Sequence, residues 1–230
     1  MKKALLFFAL SSATLGTFTS CSRDDDSTTV ADNYSITPTE VSIKYDQTHK
    51  FTIKNNGSEV SGSSFSWKSS DEKRGTVDAN GLLTAKKVGT FDVTATKNGK
   101  TLTSKVTITP YQTFFTEPLM FFGKTKADVK ASETRKLVRE TATALAYEGE
   151  NGSVNRIGYI FDNNGNMTSA IVTFPTSSSS TDRVATFYKE RYNVVTADSD
   201  IIYMSHLDEP IVMGMGYNST LGFHVIYTKK

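Results

Sequence analysis

The chain has 230 residues, with 26 basic and 24 acidic side chains, three histidines and a single cysteine. A formal net charge of +2 gives no electrostatic basis for binding nucleic acid, so nucleic acid is not an expected partner. A single cysteine excludes an internal disulfide and any site that needs several thiolates. We therefore expect the stability of the fold to come from packed cores.

Residues 1–20 have the three parts of a signal peptide that ends before a lipidated cysteine. Two lysines form the positive n-region, residues 4–15 form an apolar stretch, and Ser20 is the small residue before Cys21. The apolar stretch is shorter than the about 20 residues that cross a bilayer as a helix, so we expect the leader to be removed and Cys21 to be lipidated. An ordinary secretory signal followed by an incidental cysteine is the alternative.

Residues 21–33 form an acidic tether, in which Asp24, Asp25 and Asp26 follow the cysteine closely. This run is similar to the export signal of surface lipoproteins in the Bacteroidetes. The resemblance implies that a lipid anchor attaches the protein to the outer membrane and that the protein faces the cell exterior. The alternative interpretation is that the three aspartates form a solvated spacer with no role in export.

Residues 34–110 have the pattern of an all-β domain. Candidate strands follow one another at short, regular intervals with turn residues between them, and helical periodicity is absent. Phe91, Val93 and Ala95 alternate with polar residues, which predicts one buried face. Asn98-Gly99 is a typical two-residue hairpin turn. Together these features predict a β-sandwich.

Three motifs in this segment carry a family resemblance. They are Trp-Lys-Ser-Ser-Asp at 67–71, Thr-Val-Asp-Ala-Asn-Gly at 76–81 and Gly-Thr-Phe-Asp-Val at 89–93. Their succession resembles the bacterial immunoglobulin-like (Ig-like) domain of group 2. The resemblance implies a seven-stranded sandwich of the kind that surface proteins use as a spacer and sometimes in adhesion.

The distinctive residues of these motifs have structural roles that need no ligand. Trp67 is expected in the core of the sandwich rather than on a binding platform. Gly81 is expected to adopt a positive φ in a tight turn. Asp71 and Asp78 are expected to cap turns, and a calcium site formed by these two acids is the alternative.

Residues 111–230 alternate between helical and strand patterns. Thr125 followed by Asp128 predicts the start of a helix that continues to about Glu140. Thr181 is expected to cap a second helix after a serine-rich run. Three strands are predicted after each helix, namely Ala142–Glu148, Val154–Phe161, Met167–Phe174, Asp200–Ser205, Ile211–Tyr217 and Phe223–Tyr227.

The repeated α-β-β-β order predicts an α+β domain with one six-stranded antiparallel sheet and both helices on the same face. This topology resembles the fold of the β-lactamase inhibitor protein and of small outer-membrane assembly lipoproteins. The chain is therefore predicted to contain two domains, an all-β Ig-like sandwich at 34–110 followed by an α+β domain at 111–230.

The uncovered face of the second sheet is the predicted binding surface. Its strands are rich in methionine and aromatic residues, which are common at adaptable interfaces, and Tyr159 and Tyr217 are the candidate contact residues. By alternation about half of these side chains must face the helices, so a core role for most of them is the alternative. The expected partner is an unidentified protein or glycan.

No catalytic constellation is present in the sequence. The three histidines lack the spacing of a metalloprotease, and there is no nucleophile elbow and no phosphate-binding loop. We expect no catalytic residues, no metal and no cofactor. His206 beside Asp208 and Glu209 is a candidate acid–base group, but a hairpin turn accounts for all three. The sequence predicts a non-enzymatic cell-surface lipoprotein whose Ig-like stalk presents a binding domain, and the alternative is an envelope assembly factor or an inhibitor protein.

Overall fold

The computed structural model describes residues 31–230, and 50% of it is β-strand. The leader, Cys21 and the three aspartates of the tether lie outside the described residues. Within the described part of the chain, no helix is long and apolar enough to cross a membrane.

Residues 34–109 fold into ten short strands in three sheets. The strands are β1 (Tyr34–Thr37), β2 (Glu40–Lys44), β3 (Thr48–Lys50), β4 (Thr52–Asn55), β5 (Ser58–Val60), β6 (Ser66–Ser69), β7 (Gly75–Val77), β8 (Leu82–Ala85), β9 (Gly89–Lys97) and β10 (Lys100–Thr109). The sheet orders are β1-β4-β5, β2-β10-β9-β6 and β3-β8-β7. The Ig-like resemblance implies seven strands. The structure has more, partly because Phe51 interrupts one long strand and divides it into β3 and β4; the N–H of Phe51 donates to the carbonyl of Gly81.

The core of the sandwich is built from the inward-facing residues of these strands. Phe91, Val93 and Ala95 on β9 are buried, as their alternation predicts. Asn98 and Gly99 have φ angles of 50° and 76° and join β9 to β10, so the predicted hairpin turn is confirmed. Local turn chemistry and period-two alternation therefore account for the longest strand pair of the sandwich.

Trp67 packs against this core. Its ring stacks on Phe51 with the ring centroids 6.0 Å apart, and its Nε1–H donates to the carbonyl of Gly62 at 2.8 Å. Gly81 has the predicted positive φ, 82°, and a Cβ at this position would lie 2.5 Å from the Trp67 ring. Only glycine therefore fits where the turn passes the indole.

Residues 111–230 form one eight-stranded antiparallel sheet with two helices. The elements are α1 (Lys126–Ser132), β11 (Leu137–Glu140), β12 (Ala144–Glu148), β13 (Arg156–Phe161), β14 (Met167–Phe174), α2 (Ser178–Lys189), β15 (Asn193–Ala197), β16 (Ile201–Ser205), β17 (Ile211–Asn218) and β18 (Gly222–Lys229). The strand order is β11-β12-β13-β14-β18-β17-β16-β15. The sheet thus consists of two four-stranded meanders, each preceded by a helix, which meet where β14 pairs with β18.

The prediction of an α+β domain with a six-stranded sheet is wrong. The two helices have only 7 and 12 residues, and this half of the chain is predominantly sheet, like the first half. The sequence predicts a first helix that reaches Glu140, but α1 is followed at Glu133 by extended backbone (φ −78°, ψ 125°). Leu137–Glu140 form β11 instead, because they pair with β12 at the edge of the sheet.

The second strand that the sequence prediction lacks is β15. It follows α2 after three residues and pairs with β16. Val194, Val195 and Thr196 are β-branched, and such residues favour strands. With β11 and β15 included, the repeated unit has one helix and four strands.

The N-termini of the two helices differ in how well the sequence predicts them. Thr125 and Asp128 form the predicted capping box at the start of α1, so this prediction is confirmed. The N-cap of α2 is Ser177 rather than Thr181, because the Ser177 hydroxyl accepts the N–H of Ser180. The serine-rich run is therefore the first turn of the helix.

Both helices and an irregular segment cover one face of the eight-stranded sheet. The irregular segment, residues 111–122, is called the strap below. Phe115 of the strap is buried in one core with Val129 of α1, Phe187 of α2 and Tyr227 of β18. The opposite face, called the open face, carries neither helix.

Direct contacts join the sandwich to the sheet, and Asn33–Lys230 form one compact unit. The N–H of Val88 donates to the carbonyl of Glu190 at 2.8 Å. Arg74 of the sandwich pairs with Asp208 in the turn after β16 at 2.5 Å. The division of residues 34–230 into two domains stays a prediction.

Candidate functional site

The two tyrosines predicted as contact residues lie on the helix-covered face of the sheet. Tyr159 is completely buried, so it is a core residue and does not belong to an exposed binding surface. Tyr217 is 63% exposed, but alternation along β17 places it on the same face as the buried Met215, beyond the covered area. The open face is therefore formed by other residues.

The strap is held at both ends by the residues that cap the C-termini of the two helices. Glu190 follows α2 and accepts the N–H of Tyr111 at 2.7 Å. Glu133 follows α1 and accepts a hydrogen bond from the Tyr159 hydroxyl, which itself accepts the N–H of Leu119 at 3.0 Å. The burial of Tyr159 thus has a structural purpose, because it fixes the strap over the sheet.

An uncharged row of residues crosses the open face. The strand register places Ala146, Gly158, Ile171, Ile226, Gly214, Tyr203 and Thr196 side by side on successive strands from β12 to β15. Ile171 and Ile226 pair at the junction of the two meanders, and each is flanked by a glycine at the equivalent position of its own meander. The row is therefore uncharged, is apolar from Ala146 to Gly214, and has equivalent glycines on both sides of the Ile171–Ile226 pair.

The half of this face on β15–β18 forms a trough of about 410 Å³. Its lining residues are Val195, Ile201, Tyr203, Met204, Val212, Met213, Gly214, Gly216, His224, Ile226 and Thr228. Val195 and Tyr203 are the most exposed large side chains of the lining, at 64% and 40%. Because the polar side chains of the lining are few and uncharged or buried, the trough suits apolar groups of a ligand.

Two glycines of β17 form part of the floor of the trough. A Cβ at Gly216 would lie 2.5 Å from the carbonyl oxygen of Asp200, and a Cβ at Gly214 would lie 3.3 Å from Ile201. A side chain at Gly216 would displace the main chain at the start of β16, whereas a side chain at Gly214 would need only a small shift of the Ile201 side chain. The glycines therefore set both the depth of the trough and the approach of β16.

β15 is an edge of the sheet, and all five of its residues are exposed and uncharged. A bulge between Val194 and Thr196 leaves Val195 on the open face, next to Tyr203. An edge strand presents unpaired N–H and C=O groups that can bond to another strand. Within residues 31–230, the trough and the unpaired edge are therefore contiguous.

A buried carboxyl group lies under the strap on the other face of the sheet. Glu117 accepts hydrogen bonds from Tyr192 at 2.5 Å and from Tyr227 at 3.0 Å. Burial is the main cause that raises the pKa of Glu117 above its ordinary value, and the two tyrosine hydroxyls and Arg191 partly oppose this shift. Tyr227 is also bonded to the hydroxyl of Tyr188, so the carboxyl group ends a buried network.

The raised pKa of Glu117 predicts a pH dependence of stability. The Glu117 carboxyl group binds a proton more tightly in the folded chain than in the unfolded chain. As the pH rises from its ordinary pKa of 4.5 through its folded-state pKa, the free energy of unfolding therefore falls. Glu117→Gln keeps an oxygen acceptor and cannot ionise. We expect the stability of this variant relative to the natural protein to rise across that pH range, measured by urea unfolding. A difference that is constant with pH would contradict the assignment.

A cavity of about 170 Å³ lies between the sandwich and the sheet. Its lining residues are Arg74, Val88, Glu117, Arg191, Tyr192, His206 and Leu207. Both guanidinium groups are paired, that of Arg74 with Asp71 and Asp208 and that of Arg191 with Glu190. Of these pairs, Arg74–Asp208 is the one that joins the two parts.

The other polar residues singled out from the sequence have structural partners. Asp78 accepts two main-chain N–H groups at 2.8 Å, and Asp71 accepts two at 3.0 and 3.3 Å, which confirms their predicted roles in turns. His206 accepts the N–H of Asp208 through Nδ1 at 3.1 Å, and the Asp208 carboxylate pairs with Arg74 instead of the imidazole. Across residues 31–230, no group of three or more His, Cys, Asp or Glu side chains is placed to hold a metal ion.

The sandwich has a recognisable family. Residues 30–109 match the family model of the bacterial Ig-like domain (group 2). This segment is a bacterial Ig-like domain. The Trp67 packing and the Gly81 turn lie within the matched residues, and the eight-stranded sheet lies outside them.

The chain is also similar to other proteins over part of its length. An uncharacterized protein of Clostridium acetobutylicum is 31% identical over 111 residues, which are 47% of this chain but only 12% of that protein. Two solved structures of the S-layer protein SbsC, containing domains 5–6 and domains 4–9, each cover 87% of this chain with a TM-score of 0.30, at 13% and 14% identity. The similarity spans 85% of the first SbsC chain and 31% of the second. The family match is thus confined to residues 30–109.

Proposed function

We propose that the protein is a non-enzymatic surface lipoprotein whose Ig-like domain supports the eight-stranded sheet, and that the sheet binds an extended apolar segment of a protein. The lipid-anchored, outer-membrane part of this proposal rests on the leader, Cys21 and the acidic tether. The Ig-like domain supports a place at the cell surface. The observation that carries the binding part is the apolar trough beside the unpaired edge of β15.

The chemistry of the trough favours a protein segment over a glycan. A strand added to β15 would form main-chain hydrogen bonds and place alternate side chains near Val195 and Tyr203. Glycan hydroxyls need hydrogen-bonding partners when they leave water. The trough offers few of these, and Nδ1 of His224 is already directed at the carbonyl of Gly222 at 2.8 Å. The assembly-factor and inhibitor alternatives depended on the α+β topology, which the structure does not have.

A photo-crosslinking amino acid tests the binding part in intact cells. Placed at Tyr203, inside the trough, it should form a discrete crosslinked product. Ala146 is the matched control. It lies on the second strand of the first meander, as Tyr203 lies on the second strand of the second meander, and both belong to the open-face row, but Ala146 is outside the trough. Ile226→Glu introduces a charge into the trough and should abolish the Tyr203 product. Absence of a product, an equal product from Ala146, or a product that survives Ile226→Glu would contradict the proposal.

A further inference from the structure

The two edges of the eight-stranded sheet differ in charge. At β11, Arg139 and Glu140 are charged, and Glu140 pairs with Lys130 at 2.8 Å. At β15 there is no charged residue, and Val194 and Val195 are both more than half exposed. Charged side chains on an edge strand discourage pairing with another chain, whereas a neutral apolar edge permits it. Of the two edges, β15 is the one suited to accept a further strand.

We propose that the strand that pairs with β15 is β15 of a second copy of this chain, in antiparallel orientation. This inference rests on the proposed function, because it names the partner of the same trough and edge. Two copies related by a two-fold axis present the same surface to each other, so like charges in the contact would repel. A strand with no charge meets this requirement.

The charges that flank β15 favour the antiparallel orientation. Lys189, at the end of α2, is exposed before the strand, and Asp198 and Asp200 are exposed after it. In an antiparallel pair, the acidic end of one strand faces the basic end of the other, so the flanking charges attract. A parallel pair would place like charges side by side.

The position of the Ig-like domain also favours this orientation. Asn193 pairs with Ser205 at the end of β16, and the turn that follows contains Asp208, which pairs with Arg74 of the Ig-like domain. The Ig-like domain therefore lies towards the Asn193 end of β15. In an antiparallel pair, the two Ig-like domains lie at opposite ends of the joint and leave the strands free to meet.

Pairing of β15 with β15 of a second copy adds a strand beside the trough. Val195 and Tyr203 line the trough on its β15 side and are its most exposed large residues. The second copy continues the sheet beyond that side, covers part of Val195 and joins two eight-stranded sheets into one. The resulting open face carries two troughs related by the two-fold axis.

Disulfide trapping in intact cells tests the proposal, because the chain has no cysteine other than Cys21. Val195→Cys lies in the middle of the proposed joint, where paired Cα atoms are about 4.5–5.5 Å apart and within the range that a disulfide bridges. Val138→Cys is the matched control, because Val138 lies at the bulge of the opposite edge strand, β11, as Val195 lies at the bulge of β15. Under a mild oxidant, Val195→Cys should migrate at twice the mass of one chain on a non-reducing gel, and Val138→Cys at the mass of one chain.

Thr196→Cys tests the adjacent register of the same joint. The proposal is overturned when neither β15 variant forms the dimer, or when Val138→Cys forms it equally well. A crosslink from Tyr203 to a different protein, without a disulfide dimer, would reject the second copy and leave the proposed function intact. Loss of both the crosslink and the dimer would reject both.

Discussion

Replacing Glu190 with alanine should lower the free energy of unfolding by about 3–5 kcal/mol, a large part of the stability of an ordinary domain. Its side chain is fully buried, accepts the N–H groups of Tyr111 at 2.7 Å and Gln112 at 3.1 Å, and pairs with Arg191 at 2.6 Å. Alanine would leave these three donors without the buried acceptor that they share. Urea unfolding of the natural protein and the variant measures the difference.

Glu148→Ala is the control for this measurement. Glu148 pairs with Lys136 at 3.4 Å, and the two side chains are 49% and 78% exposed. An exposed pair of this kind contributes about 0–1 kcal/mol. An equal decrease in the free energy of unfolding in the two variants would show that Glu190 does not hold the strap in the way the hydrogen bonds indicate.

Replacing Cys21 with alanine should abolish lipidation of the protein completely. Cys21 is the only thiol of the chain, so the variant has no sulfur to acylate. Stable membrane attachment takes more than one acyl chain, and the variant has none. It should therefore be recovered in the soluble fraction instead of the membrane fraction. Metabolic labelling with a radioactive fatty acid should mark the natural protein and leave the variant unmarked.

The acidic tether provides a second variant for the same experiment. Changing Asp24, Asp25 and Asp26 together to alanine should leave the fatty-acid label in place and protect the protein from protease added to intact cells. A label that persists in Cys21→Ala would refute the lipid anchor. Equal digestion of the natural protein and the triple variant would show that the aspartates form only a spacer.

The Ig-like domain can be predicted from the sequence because its signals are local. Asn98-Gly99 specifies a hairpin through the backbone angles that these two residues tolerate. The alternation of Phe91, Val93 and Ala95 defines the buried face of β9 without knowledge of any other strand. The capping box of Thr125 and Asp128 is local in the same sense, and it too is predicted correctly.

The eight-stranded sheet is less predictable because its decisive contacts are distant in the sequence. Residues 134–140 contain no proline or glycine to end a helix, and only pairing with β12 makes Leu137–Glu140 a strand. The strap has no periodicity that would place it over the sheet. Alternation alone does not say which face the strap covers, so the sequence pattern does not distinguish a buried Tyr159 from an exposed one.

The candidate site depends on register in the same way. Gly214 and Gly216 are visible in the sequence as small residues within a strand. Their position beneath Ile201 and beside Ile226 follows from how β16 and β18 pair with β17. A trough built from glycines of one strand and side chains of its neighbours has no signature within any single segment.

Glu190 also determines how a mechanical load passes through the chain. Its side chain holds the two residues that follow Pro110, and its carbonyl oxygen accepts the N–H of Val88 in the Ig-like domain. A pulling force is therefore shared among hydrogen bonds on both sides of the connection instead of falling on the main chain at Pro110 alone. We therefore expect the connection at Pro110 to resist extension more than a linker without these hydrogen bonds would.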